Sequence, residues 1–290
     1  MPTETVYGLG ADARCAIAVA RIFEAKGRPR FNPLIAHVAD LDQARAVAVF
    51  SPEAEALADA FWPGPLTLVL PVRDRDGVCD LARAGLDTVA VRVPGHSLAR
   101  SVIAAFGGAV VAPSANRSGR PSPTTFSDAV EETGFAAAVH LDGGPCAVGV
   151  ESTVMACLDG VVRWLRPGAV TRAEAEDVIG RPLSESGGHA GHSPGRLALH
   201  YAPDAPVRLN VTDPAPGEAW LSFGQGPAQD ARTLALSPDG DLREAAANLF
   251  RLLRAADRLK PSAIAVAPIP TTGLGEAIND RLTRAAGFVG

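Results

Sequence analysis

Apolar positions along the chain follow two different periods. Short β-branched and aliphatic runs, typical of strands, occupy residues 34–38, 66–72, 88–93, 109–112, 138–141, 153–157 and 161–165. Apolar residues spaced three and four apart, typical of amphipathic helices, occupy residues 15–26, 52–61, 96–106 and 126–133. Because strands and helices mix without a regular strand–helix–strand repeat, the pattern predicts an α/β (mixed α+β) fold on a mixed sheet rather than a barrel.

The composition changes at residues 181–206, where Gly, Ser and Pro accumulate and the apolar period disappears. This turn chemistry predicts a linker between a larger unit at 1–180 and a smaller one at 207–290. In the smaller unit the pattern predicts strands and helices in alternation, at 207–211, 219–223, 242–259, 262–267 and 276–286. That order indicates a small parallel, Rossmann-like α/β unit. Since no G-x-G-x-x-G turn follows its first strand, we predict no dinucleotide site there.

Composition and charge narrow the classes of function. The chain has 290 residues, 47% of them apolar, which is typical of a globular protein, and no run is long enough for a membrane helix. The net charge of −5 disfavours tight, non-specific binding to RNA phosphates. The four cysteines form no C-x-x-C pair and have no zinc-ligand spacing. We therefore expect no protein-held metal, and buried thiols in a reducing cytoplasm.

The loop at residues 26–34 is the first candidate for chemistry. Lys26, Arg28 and Arg30 lie within five residues, between a glycine and two prolines that limit the loop's freedom. Fixed cations in this pattern suit a polyphosphate, although a solvated basic turn explains the same residues. The following histidine, His37, is more often structural than catalytic in such a strand.

Further candidates follow or end predicted strands. Arg92 lies on an otherwise apolar strand and needs an anion, for which a substrate carboxylate would serve. Hydroxyl and amide side chains follow the strand at 109–112, where mixed sheets often bind ligands, although the same loop could cap the next helix. No Walker A motif and no G-x-S-x-G elbow occurs. Cations and hydroxyls without a nucleophile favour electrostatic catalysis at phosphorus.

Taken together, the motifs resemble one family. In order they are P-T-E-T-V-Y-G-L-G, K-G-R-P-x-x-N-P-L-I-x-H, W-P-G-P-L-T, V-R-x-P, A-P-S-A-N-x-S-G, E-S-T-V and L-R-P-G, over residues 2 to 170. They resemble the YrdC-type threonylcarbamoyl-AMP synthases. The S-P-G and H-Y-A-P segments at 193–195 and 200–203 are similar to the linker of the longer, two-domain form. The resemblance implies a twisted mixed sheet around a basic cavity.

The resemblance also implies substrates and residue roles. The substrates would be L-threonine, bicarbonate and ATP, with Mg²⁺ accompanying ATP. The side chains matching L-threonine contacts are Thr5, His37, Arg92 and Ser152. Those matching positions around ATP or the adenylate are Lys26, Arg28, Asn32, Thr88, Ser114, Asn116, Thr124, Arg166 and Tyr201. Lys26 and Arg28 are the catalytic candidates, because they would neutralise phosphate charge.

The same resemblance sets expectations about the chain's ends and partners. Members of the family usually carry a few tens of residues before P-T-E-T, so we expect a sheet lacking its first strand here. The product would pass to the machinery that forms threonylcarbamoyladenosine in tRNA, without stable tRNA binding by this chain and without a membrane. We expect the second unit to gate the cavity through residues 181–206.

Three other functions compete with this interpretation. An RNA-binding module would use the basic concavity of the same fold, but the acidic net charge and the absence of aromatic stacking motifs argue against it. A transferase using carbamoyl phosphate would carry zinc-finger or acylphosphatase segments. An inactive interaction protein would keep the fold without the chemistry.

Overall fold

The computed structural model describes residues 1–185, 201–224 and 231–287, and in it eight strands form one mixed sheet. Their order across the sheet is β1-β5-β2-β4-β3-β6-β7-β8. The bounds are β1 Ala11–Asp12, β2 Ile35–His37, β3 Leu66–Pro71, β4 Thr88–Arg92, β5 Val110–Val111, β6 Thr153–Leu158, β7 Val161–Arg166 and β8 Ser184–Glu185. The sheet contains both parallel pairs, such as β2 with β4, and antiparallel pairs, such as β3 with β4, so the predicted mixed sheet is confirmed.

Helices cover this sheet and bury its apolar side chains. They are α1 Ala16–Lys26, α2 Leu41–Val47, α3 Pro52–Phe61, α4 Asp80–Arg83, α5 Ser97–Phe106, α6 Phe126–Thr133 and α7 Arg172–Ile179. The side chain of Ser51 caps α3, with Pro52 in the first turn, and Gly27 ends α1 in the left-handed conformation with φ 59°. Each cap satisfies backbone groups that a helix end leaves open.

A second, four-stranded sheet follows, and all its strand pairs are parallel. Its order is β11-β10-β12-β9, with β9 Val207–Arg208, β10 Ala219–Phe223, β11 Thr233–Ser237 and β12 Ile264–Val266. Two helices, α8 Leu242–Arg258 and α9 Leu274–Ala285, complete it. The expected small parallel α/β unit is therefore present, with a strand order that differs from the 3-2-1-4 start of a classical doubly wound sheet.

Several elements differ from the sequence-based expectations. Residues 138–141 form no strand, and Val139 is 72% exposed, because this apolar run has no partner strand to bury it. Helix α7 was not expected, although the Thr171 and Glu174 capping box that begins it is readable in the sequence. Strand β8 lies within the expected linker and pairs with Arg163 and Trp164 of β7. The centre of that linker, residues 186–200, lies outside the described residues.

The two sheets share a buried contact rather than meeting only through the chain. Val6 and Val150 from the large unit pack in the same apolar cluster as Leu249 and Phe250 of α8. Arg254 of α8 also reaches Glu132 of α6, with Nη1 3.0 Å from Oε1. None of the helices in the three described ranges is long and apolar enough to cross a membrane.

Candidate functional site

A cavity lies over the face of the large sheet that carries Ile35 and His37 of β2. Residues before β2, after β5 and before β6 surround it, so its wall is built mainly from loops that the strands hold in place. The sequence-predicted residues that the structure brings together on this wall are Thr5, Arg28, His37, Arg92, Ser114, Ser152, Arg166 and Tyr201. They come from positions far apart in the chain, and only the strand order places them side by side.

Lys26 lies behind this wall. Its side chain is 3% exposed, and its ammonium donates to the backbone carbonyls of Ser114 and Asn116. The amide of Ser118 donates in turn to the carbonyl of Lys26 at 2.7 Å. Burial lowers the pKa of Lys26 well below its usual value, and the nearby charge of Arg28 acts in the same direction. Lys26 thus joins the end of α1 to the loop that carries Ser114.

Three further predicted residues, Asn32, Asn116 and Thr124, are buried and do not line the cavity. Asn116 donates to the carbonyls of Arg117 and Arg120, at 2.8 and 2.9 Å, and so shapes its own loop. The carboxamide oxygens of Asn32 and Asn116 are buried and have no hydrogen-bond partner. Thr124 is 2% exposed.

Thr88 is not brought to the cavity. It begins β4, where it is paired with Pro71, whereas Arg92 ends the same strand at the cavity wall. Four residues of strand separate the two by roughly 13 Å. The two side chains share a face, as their even spacing predicts, but β4 carries Thr88 away from the other predicted residues.

Arg92 is held by three acceptors. Its Nε donates to the carbonyl of Gly64 at 3.1 Å, Nη1 to the hydroxyl of Thr5 at 2.9 Å and Nη2 to Glu4 Oε1 at 2.5 Å. Burial alone would raise the pKa of Glu4, but the charge and hydrogen bonds of Arg92 and the amide of Gly95 bring it below its usual value. The anion that the sequence required beside Arg92 is therefore Glu4, a residue of the same opening motif as Thr5.

His37 ends β2 next to this arginine, paired in register with Arg92 of β4. Burial lowers the pKa of His37 to about 3, and the positive charge of Arg92 adds to that effect. Its Nδ1 lies 3.2 Å from the carbonyl of Ile35. The imidazole is thus neutral at physiological pH and offers the cavity a neutral polar group.

Ser152 and Arg166 contact each other on the same cavity wall. Arg166 ends β7, and its Nη2 donates to the Ser152 carbonyl at 2.8 Å and to the Ser152 hydroxyl at 3.3 Å. The hydroxyls of Ser152 and Thr67 are 2.7 Å apart. Burial lowers the pKa of Arg28 to about 10. Because this value is still well above 7, the Arg28 guanidinium is charged at neutral pH. The described part of the cavity wall therefore carries three arginines, Arg28, Arg92 and Arg166.

Glu151 is a wall residue that the sequence reasoning did not select. Its Oε1 accepts from the Ser122 hydroxyl at 2.5 Å, and its Oε2 accepts from Arg281 Nε at 2.9 Å. The sequence shows Glu151 next to Ser152 in the E-S-T-V motif, but its partner Arg281 lies far along the chain, on α9. Glu151 makes the wall electrostatically mixed rather than uniformly basic.

Tyr201 is 1% exposed and lines the cavity together with Arg166. Its ring lies 5.2 Å from the ring of Phe250, centroid to centroid. Its backbone has φ 64°, in the left-handed region that residues other than glycine seldom occupy. Such a conformation is kept only where surrounding contacts enforce it, and it occurs often at functional sites.

The described residues contain no group of three or more His, Cys, Asp or Glu side chains placed to hold a metal ion. Among these residues, the polar groups of the cavity wall are instead three arginines, several hydroxyls, one neutral imidazole and the Glu151 carboxylate, whose oxygens are held by Ser122 and Arg281. This donor set suits an anionic ligand better than a bare cation.

Comparison with known proteins gives two matching families along the chain. A family model for Sua5, YciO and YrdC proteins, described as telomere recombination, matches residues 1–168. A model described as the C-terminal domain of threonylcarbamoyl-AMP synthase matches residues 170–287. Together the two matches span both of the sheets described above.

Individual relatives align over nearly the whole chain. A threonylcarbamoyl-AMP synthase of Bacillus subtilis is 40% identical, with 99% of this chain and 88% of the relative covered. One of Pyrococcus abyssi is also 40% identical, with 99% and 89% covered. A crystal structure of Pyrococcus abyssi Sua5 complexed with L-threonine has a TM-score of 0.89 and 39% identity, covering 99% of this chain and 89% of that one.

Proposed function

We propose that this chain, which belongs to the Sua5, YciO and YrdC family, makes threonylcarbamoyl-AMP from L-threonine, bicarbonate and ATP. The enzyme class is that of a nucleotidyltransferase. The single observation that supports this assignment best is the convergence of Thr5, His37, Arg92 and Ser152 on one cavity wall, with Arg28 and Arg166 beside them.

The first part of the proposal concerns L-threonine. Arg92 is fixed by Gly64, Thr5 and Glu4, and a guanidinium held in this way can bind a carboxylate through two N–H groups. Neutral His37 and the hydroxyl of Ser152 would then face the substrate's amine and hydroxyl. The amine must be uncharged to react, and a neutral imidazole, unlike a carboxylate, does not stabilise the protonated form of that amine.

The second part concerns ATP. Bicarbonate takes up a proton and loses water to give CO₂. The threonine nitrogen bonds to the carbon of CO₂, one C=O π bond opens onto oxygen, and the nitrogen releases a proton, so the net products are a carbamate and one water. A carbamate oxygen attacks the α-phosphorus, the bond from that phosphorus to the bridging oxygen breaks, and pyrophosphate leaves. Arg28 and Arg166 would neutralise the developing charge, while Lys26 fixes the loop of Ser114. Mg²⁺, carried by the phosphates rather than by a protein cage, would offset further negative charge.

The product's use follows from its chemistry. An acyl adenylate is an activated carbonyl, and we propose that tRNA-modifying machinery in the cytoplasm transfers the threonylcarbamoyl group to adenosine. The net charge of −5 argues against a stable complex between this chain and tRNA.

The test is pyrophosphate release by the full chain with ATP, bicarbonate and each amino acid in turn. We expect release that requires both L-threonine and bicarbonate and that falls at least tenfold in Lys26→Ala. Release without threonine, or with any amino acid equally, contradicts the proposal. Salt-dependent retention of RNA without pyrophosphate release would instead support an RNA-binding module of the same fold.

A further inference from the structure

The last helix of the second unit reaches the cavity wall through one side chain. Arg281 of α9 is completely buried, and its Nε donates to Glu151 Oε2 at 2.9 Å. Its Nη1 donates to the carbonyl of Pro167 at 2.8 Å and to Asp280 Oδ2 at 2.9 Å. Pro167 follows Arg166 and Glu151 precedes Ser152, so Arg281 contacts a chain neighbour of each residue in the Ser152–Arg166 pair.

Glu151, the main partner of Arg281, has both carboxylate oxygens occupied. One oxygen is held by Ser122 of the large unit and the other by Arg281 of the second unit. Hydrogen bonds at both oxygens restrict the rotation of this buried carboxylate. Its position at the cavity therefore depends on the positions of Ser122 and Arg281. Burial would raise the pKa of Glu151, but Arg281 and Arg166 lower it, so the group is ionised.

A second wall residue depends on the same arginine. The guanidinium carbon of Arg281 lies 5.7 Å from the centre of the Tyr201 ring, while Phe250 packs on that ring from α8. Tyr201 keeps a left-handed backbone that needs surrounding contacts to persist. Arg281 therefore contacts two residues of the cavity wall and is absent from the wall itself.

We propose that Arg281 is a positioning residue of the reaction, which sets Glu151 and Tyr201 in the geometry that binds the nucleotide. The second unit is then part of the catalytic site rather than an appended module. This inference rests on the proposed function, because its effect is measured in that reaction.

The experiment compares Arg281→Gln with Arg254→Gln in the full chain. Arg254 is a matched control, since it is also a buried arginine of the second unit, 6% exposed, and it pairs with a carboxylate of the large unit, Glu132. Glu132 does not line the cavity. Both variants lose a buried ion pair between the units, but only one of them lies against the wall.

The discriminating readout is KM for ATP. A purely structural loss reduces the folded fraction and hence kcat, but it leaves KM of the folded enzyme unchanged. We expect KM for ATP to rise at least tenfold in Arg281→Gln and to stay within twofold in Arg254→Gln. Arg281→Lys should recover part of that loss, because one charged donor to Glu151 remains.

Glu151→Gln tests the pair from its other end and keeps the side chain's size. We expect a similar rise in KM for ATP, and a double variant no worse than Arg281→Gln alone, because both changes break one contact. Unchanged KM for ATP in both single variants would overturn the proposal, as would equal changes in Arg281→Gln and Arg254→Gln. Absence of threonine-dependent release in the unsubstituted chain would defeat the proposed function first, and this inference with it.

Discussion

Arg92 Nη2 lies 2.5 Å from Glu4 Oε1, in a buried ion pair that joins the end of β4 to the opening motif of the chain. The side chains are 4% and 15% exposed, so neither charge is well solvated. Arg92, the candidate threonine-binding residue, would therefore interact with two carboxylates, that of Glu4 and that of the substrate. The contribution of Arg92 to the unfolding free energy, through Glu4, can therefore be measured separately from its contribution to activity.

Arg92→Gln should lower both the unfolding free energy and the threonine-dependent activity. A second change, Glu4→Gln, should restore only the unfolding free energy. The single variant leaves Glu4 as an uncompensated buried carboxylate, which costs about 3–5 kcal/mol of unfolding free energy. Adding Glu4→Gln removes that charge, so urea denaturation should recover most of the stability. Threonine-dependent kcat/KM should stay at least 100-fold down in both variants. Recovery of activity in the double variant would show that Arg92 serves the fold alone.

Two arginines on one loop provide a test of the phosphate assignment. Arg28 lines the cavity and donates to the carbonyls of Asn32 and Pro33, whereas Arg30 is exposed. Arg28→Ala should raise KM for ATP at least tenfold, because a fixed cation beside the phosphates is lost. Arg30→Ala should change it by less than twofold, since an exposed charge is screened by solvent. Equal effects in steady-state kinetics would mean that the loop acts through its overall charge.

His37 predicts a pH dependence of stability. Its pKa is about 3 in the folded chain and 6.5 in the unfolded one, so the unfolded state binds more protons below pH 6.5. Unfolding free energy should therefore fall as pH drops, by about 2 kcal/mol between pH 6.5 and pH 5 from this group. Urea denaturation of the wild type and His37→Gln at both pH values measures the difference. An identical pH slope in the two proteins would show that His37 is protonated when folded.

Gly149 of the large unit lies directly against α8 of the second unit. A Cβ built there would lie 2.4 Å from the carbonyl oxygen of Ala246 in α8, and φ is 76°. Gly180 has a similar φ of 70° but open space around it. Gly180→Ala should cost about 1 kcal/mol of backbone strain, whereas Gly149→Ala should cost more than about 3 kcal/mol because α8 must move. Thermal unfolding of the two variants gives the comparison, and equal costs would mean that α8 moves without penalty.

Much of the local structure was readable from the sequence. Helices at 15–26, 52–61 and 126–133 have the expected limits to within a residue, because caps such as Ser51 and Gly27 act through neighbouring backbone groups. Strands β2 to β7 of the large sheet were found because most of their residues are apolar and buried, which a local run reveals. Strands β1 and β8, of two residues each and not buried, were missed. The candidate loops were found because cations, hydroxyls and prolines concentrate in short segments.

Only the tertiary structure decided which of those residues meet. Thr88 and Arg92 share a strand, yet Arg92 lies at the cavity and Thr88 lies at the far end of β4, because the strand is extended. Lys26 was expected at the phosphates and instead holds the carbonyls of Ser114 and Asn116. Arg281 gave no local signal at all, because its partner Glu151 is 130 positions away. Periodicity and caps are properties of neighbouring residues, whereas a buried ion pair exists only after distant elements have packed and excluded water.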